Sequence, residues 1–148
     1  MWKQIIRVTM IAGVLDLSAA SLQVFIMKSL TPDILLEYIA SGLFGQAAFE
    51  GKPFHMFVGL LVHFFIVFCC VTIYFLLYPK LHLQRWRFYL TGVGIAIIAW
   101  IVTTQVIIPF SLIPHAPFHL GRSLLAILIL YACIGIPIGY FAEKYFQN

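Results

Sequence analysis

Asp16 stands in the middle of an unbroken apolar run, Ile5 to Ile26, and a carboxylate there must face something other than lipid. A second apolar run carries His63 in its middle, and these two are the titratable acid and base at mid-run depth. Steps of three, four and seven from Asp16 reach Thr9, Ala12, Gly13, Ala19, Ala20 and Gln23, every one small or polar. The opposite side offers Ile11, Val14, Leu22, Phe25 and Ile26. The periodicity therefore turns Asp16 into a bundle, with Thr9, Gly13, Ala20 and Gln23 expected to line a cavity beside it. Two further runs each carry one polar residue at a similar depth, Gln105 and Tyr131. At helical rise, Asp16 lies about 18 Å from Lys28 and His63 about 15 Å from Pro53. Gln105 lies about 14 Å from Pro114, and Tyr131 about 14 Å from Arg122. The expected polar centre is thus Asp16, His63, Gln105 and Tyr131, with a direct or water-bridged Asp16–His63 pair at its heart.

Three chemistries compete for that pair. A buried polar contact would fix helix register, and intramembrane hydrogen bonds of this kind contribute about 0.6–2 kcal/mol. A titrating pair would couple proton movement to transport, as mid-membrane carboxylates and histidines often do. A haem held by two histidines would need a second intramembrane His, and the runs contain none. Glu50, His55, His115 and His119 form a weaker candidate at one mouth, since they include zinc-type ligands. Pro117 breaks the helical spacing between His115 and His119. Ser18, Ser21 and Ser111 lack a nucleophile-elbow context, and neither a His-Glu-x-x-His motif nor a phosphate-binding glycine loop occurs. Cys69, Cys70 and Cys133 sit inside apolar runs without ligand spacing. No motif supports an enzyme, and no cofactor is expected.

The elements that must hold these residues follow from composition. The chain is 63% hydrophobic and only 9% charged, too apolar for the core of a small soluble domain and suited to a bilayer. Four runs have the roughly 20 apolar residues a span requires: Ile5–Ile26, Phe54–Tyr78, Phe88–Ile113 and Phe118–Ala142. Continuous rather than alternating apolarity selects helices over a barrel. The expected fold is an all-α integral membrane protein, residues 1–148 forming one domain of four transmembrane helices. The first run is too long for a signal-peptide core and carries Asp16, so it is expected to stay as a span. Lys3, Arg7, Lys80, Arg85, Arg87 and Lys144 lie on one side, against Lys28, Lys52 and Arg122 on the other. That asymmetry predicts both termini in the cytoplasm. Trp2, Tyr78, Trp86, Tyr89, Tyr140 and Tyr145 gather near the same boundary. The basic residues are scattered between apolar runs, with no basic face to bind nucleic acid.

The connection between the first two spans has structure of its own. Thr31-Pro32-Asp33 is a helix start, with Thr31 as cap and Pro32 in the first turn. Residues 33–50 are apolar and rich in small side chains, and predict an interfacial or re-entrant helix ending at Gly51. It would either pack on the bundle top or act as a lid. Pro109, Pro114 and Pro117 predict a helix stop and a stiff turn, and Pro137 a kink in the fourth span. Ala132, Gly135, Gly139 and Ala142 form a small-residue stripe that permits close helix approach, within the chain or in a homo-oligomer.

Asp16, the stretches 39–51 and 59–64, Val106-Ile107-Ile108-Pro109-Phe110-Ser111 and Ile134-Gly135-Ile136-Pro137-Ile138 together resemble a family of small bacterial four-span membrane proteins. The resemblance covers nearly the whole chain and implies an inner-membrane fold, with no activity attached. Members of that family often carry Asn shortly before the Pro-x-Ser step, where this chain has Thr104 and Gln105. The expected function is movement of a small solute or of protons through the Asp/His centre. The alternative is an accessory membrane subunit in which the pair only fixes packing.

Overall fold

A computed structural model describes residues 1–112 and 119–147. The described residues form five helices and short helical turns, with no strand among them. Four helices are long and apolar enough to cross a membrane: α1 (Trp2–Lys28), α3 (Pro53–Lys80), α4 (Phe88–Ile107) and α5 (Leu120–Gln147). Between α1 and α3 lies α2 (Pro32–Phe44), followed by a tight turn of 3₁₀ helix, Gly45–Phe49. The starts obey the sequence signals. Pro32 and Pro53 both occupy the first helical turn, where the missing N–H costs nothing. Thr31 is the N-cap of α2 with extended backbone, but its side chain makes no capping hydrogen bond.

Two prolines explain the two irregular stretches. α4 widens to a π-helical turn over Val102–Ile107, and α5 does so over Tyr131–Gly135. In each case the last wide hydrogen bond is made by the residue just before a proline. The Ile108 N–H donates to the Thr103 carbonyl ahead of Pro109, and the Ile136 N–H donates to the Tyr131 carbonyl ahead of Pro137. A proline ring collides with the carbonyl four residues earlier, and one extra residue per turn moves that carbonyl away. The expected kink at Pro137 therefore takes the form of a π turn in the preceding residues. After Pro109 the chain leaves the helix, so α4 is shorter than the expected run to Ile113. Ile113, Pro114, Pro117 and Phe118 lie outside the described residues, and the fourth helix starts at Leu120.

Packing divides the bundle into two halves. The core consists of Ile5, Val8 and Ala12 of α1, Val67, Val71, Phe75 and Tyr78 of α3, Ile95 of α4, and Ile134, Ile138 and Ala142 of α5. All belong to the half that holds the chain termini. In the other half α1 buries nothing after Gly13, α4 nothing after Ala99, and α5 nothing before Ile134, while burial continues where α2 packs on α3, at Glu37, Ala40, Ser41, His55 and Gly59. Glycines close the tight half. Gly92 and Gly135 bring the backbones of α4 and α5 into contact, and a Cβ at Gly139 would stand 2.7 Å from the Phe88 carbonyl oxygen. The expected stripe on α5 thus splits. Gly135 and Gly139 meet α4, Ala142 enters the core, and Ala132 is exposed. Tyr78, expected among the boundary aromatics, is instead 1% exposed and stacked on Phe146 with ring centroids 5.0 Å apart.

Around the perimeter the side chains are large and apolar. Phe25, Ile26, Phe65, Ile98 and Leu128 are all more than half exposed, as a lipid-facing surface requires.

Candidate functional site

The loose half of the bundle encloses a partly open cavity of about 670 Å³. α4 packs along α5 and barely touches α1 or α3, so a gap opens between α4 and the α1–α3 pair. α2 lies across that gap. It rests on α3 where Gly59 meets the Leu36 backbone, a contact that any larger residue would obstruct. It is also tied to the end of α4, because the Leu112 N–H donates to the Gly42 carbonyl at 3.2 Å. Five elements therefore contribute walls.

Asp16 and His63 both line this cavity, from α1 and α3. They lie within electrostatic reach of each other, yet no hydrogen bond joins the two side chains. His63 Nε2 instead donates to the Gly13 carbonyl at 3.0 Å, one turn before Asp16 on the same face. A carbonyl can only accept, so Nε2 carries the N–H, and Nδ1 is the ring nitrogen left uncommitted. Gly13 allows this approach and no more, since a Cβ there would stand 2.5 Å from the Phe64 ring. Ala20 and Gln23 line the cavity as their spacing from Asp16 predicts. Gln23 also reaches Met27 Sδ within its own helix, at 3.8 Å.

The remaining expected members fall elsewhere. Gln105 is exposed and its amide reaches only back to Thr104 Oγ1, at 3.5 Å. Tyr131 is half-buried in the π turn of α5 and is not a cavity wall. Thr9 and Gly13 are buried on the core side, with Thr9 Oγ1 lacking a hydrogen-bond partner. The four-residue polar centre thus reduces to Asp16 and His63. Shared depth did not determine which way each side chain faces. The cavity takes its other polar groups from residues that depth counting passed over: Tyr38 of α2, Cys70 of α3, and Trp100, Thr103 and Thr104 of α4. Thr104 and Trp100 lie four residues apart, and the Thr104 hydroxyl donates to the Trp100 carbonyl at 2.7 Å. The Tyr38 phenol is raised above its ordinary pKa by partial burial and so remains a hydroxyl donor at neutral pH.

Among the described residues the zinc-type candidates do not gather. His55 is 7% exposed, its ring packed 4.9 Å from Phe44 and its Nδ1 without a partner. Glu50 pairs with Lys52, whose hydrogen bond and charge hold the carboxyl below its ordinary pKa. His119 is exposed at the start of α5, and His115 lies outside the described residues. Among the described residues no three His, Cys, Asp or Glu side chains come together as a metal site would need.

No protein-family model, curated protein or solved structure matches this chain.

Proposed function

We propose that this chain is a bacterial inner-membrane protein with both termini in the cytoplasm, and that it moves a small solute or protons through the cavity at Asp16 and His63. The observation that carries the reading is that one cavity receives the mid-span acid and the mid-span base from two different helices. A carboxylate at that depth is costly and needs a purpose or a partner. The loose packing around it supplies space, and Nδ1 of His63 supplies a second site for a proton. Lys3, Arg7, Lys80, Arg85, Arg87 and Lys144 support the orientation, and the four-span resemblance supports the membrane. α2 then serves as an interfacial or re-entrant lid over the cavity mouth. A chain this small is expected to work as a homo-oligomer in the bilayer.

One observation favours the alternative. The His63–Gly13 hydrogen bond joins α3 to the backbone of α1, which is what a packing contact in an accessory subunit would do.

The readings separate in proteoliposomes loaded with a pH-sensitive dye. His63→Gln keeps an N–H donor for the Gly13 carbonyl and removes the imidazole ring. Transport predicts normal folded yield and lost proton-coupled flux for both Asp16→Asn and His63→Gln. The packing role predicts that His63→Gln behaves as the parent protein, whereas His63→Ala loses folded protein. Unchanged flux in a well-folded Asp16→Asn protein would sink the transport reading.

A further inference from the structure

We propose that the ligand of this cavity is an amphipathic organic cation, a hydrophobic amine or quaternary onium ion, held with its charge at Asp16. This rests on the reading of the cavity as a transport site and names the substrate class for it. The volume of about 670 Å³ falls in the range of sites for drug-sized molecules, roughly 300–1,000 Å³. Most of the wall is apolar, supplied by residues such as Val62, Ile66, Ile107 and Leu130. An occupant must therefore be mainly hydrocarbon.

The charge inventory decides its sign. Among the described residues no Lys or Arg lines the cavity, and none pairs with Asp16. The titratable groups around Asp16 are His63 and Cys70 from α3, Cys133 from α5 and Tyr38 from α2; α4 contributes none. His63 has one ring nitrogen already committed to the Gly13 carbonyl. An anion would meet the Asp16 carboxylate with no permanent cation, Lys or Arg, in the wall to offset it. A neutral hydrocarbon would leave that carboxylate desolvated and unpaired. An inorganic cation would want several oxygen ligands in one place, and the wall offers a single carboxylate. A monovalent organic cation satisfies Asp16 and covers the apolar wall with one molecule. Trp100 and Tyr38 add aromatic faces of the kind that attract organic cations.

Tetraphenylphosphonium and tetraphenylborate have the same shape and opposite charge, and so isolate the sign of the ligand. Binding of each to the purified full-length chain in nonionic micelles is measured by equilibrium dialysis, with empty micelles subtracted. Saturable binding of the phosphonium and none of the borate is expected. Asp16→Asn should weaken phosphonium binding at least about tenfold, while Asp16→Glu stays within about threefold of the parent, tenfold being 1.4 kcal/mol. Val62→Trp, which fills the cavity, should remove binding with Asp16 intact. Equal binding of both ions, or full affinity in Asp16→Asn, would overturn the proposal. If Asp16→Asn does not purify as folded protein, the comparison of the two ions on the parent chain decides alone. Proton flux that depends on Asp16 without phosphonium binding would overturn the ligand class and leave the transport reading standing. Loss of both would remove the two together.

Discussion

Thr9 and Asp16 share a face of α1 seven residues apart, yet they sit in opposite environments. Thr9 is 6% exposed among core side chains, and its hydroxyl has no partner. A buried hydroxyl without a hydrogen bond costs about 1–3 kcal/mol, and Val has nearly the same shape. Thr9→Val should therefore raise the thermal unfolding midpoint in detergent, with proton flux unchanged, since Thr9 is not a wall of the cavity. A lower midpoint would mean that a bound water or a backbone carbonyl satisfies the hydroxyl. Asp16 faces the gap instead, and the same apolar exchange there should abolish function rather than improve stability. Sequence periodicity placed Asp16, Ala20 and Gln23 on the cavity, whereas Gly13, expected there too, is buried on the core side. It could not distinguish the core half of the face from the cavity half, because both are small and polar. Gln105 was illegible for another reason: the π turn before Pro109 rotates the end of α4, so an α-helical count misplaces that side chain.

Among the helices, proline and glycine decide where spacing changes. The two Ile-Pro steps, Ile108-Pro109 and Ile136-Pro137, each follow a π turn, and each was visible in the sequence only as a stop or a kink. Glycines differ more among themselves than their number suggests. A Cβ at Gly135 would press on the Gly92 backbone, whereas Gly94 on α4 has nothing within 4 Å. Gly135→Ala should therefore destabilise the bundle by about 1–3 kcal/mol through overpacking of α4 against α5. Gly94→Ala should be neutral or stabilising by up to about 1 kcal/mol, since Ala is the better helix former. Thermal unfolding of the purified variants measures both. The same contrast applies to α2, which lies on α3 through Gly59 and the Leu36 backbone. Gly59→Leu should lift α2 from its seat and expose the cavity, read as faster hydrogen exchange across Pro32–Phe44. Unchanged exchange would show that the tether from Leu112 to Gly42 holds α2 by itself.

The molecule as a whole is tight at the end bearing its termini and open at the other. That asymmetry could be read only in part. Four apolar runs and an extra helix were plain from hydropathy and from Thr31-Pro32-Asp33. The division into halves was not, because α1, α3 and α5 are as apolar beyond the core as within it. What separates the halves is contact between helices far apart in sequence: Gly92 with Gly135, Gly139 with Phe88, and Tyr78 with Phe146. The three cysteines test this division. Cys70 lines the cavity, while its neighbour Cys69 and Cys133 on α5 do not, though all three are free and half-buried. If water fills the loose half, a small hydrophilic thiol reagent should modify Cys70 first in the protein reconstituted in vesicles. Mass mapping of the labelled peptide, with Cys69→Ala separating the adjacent pair, identifies the site. Val62→Trp should slow that labelling and leave Cys133 unaffected, because it fills the space in front of Cys70 alone. Labelling of Cys133 ahead of Cys70 would place the water path outside the cavity wall that Cys70 lines, and the transport reading would lose its route.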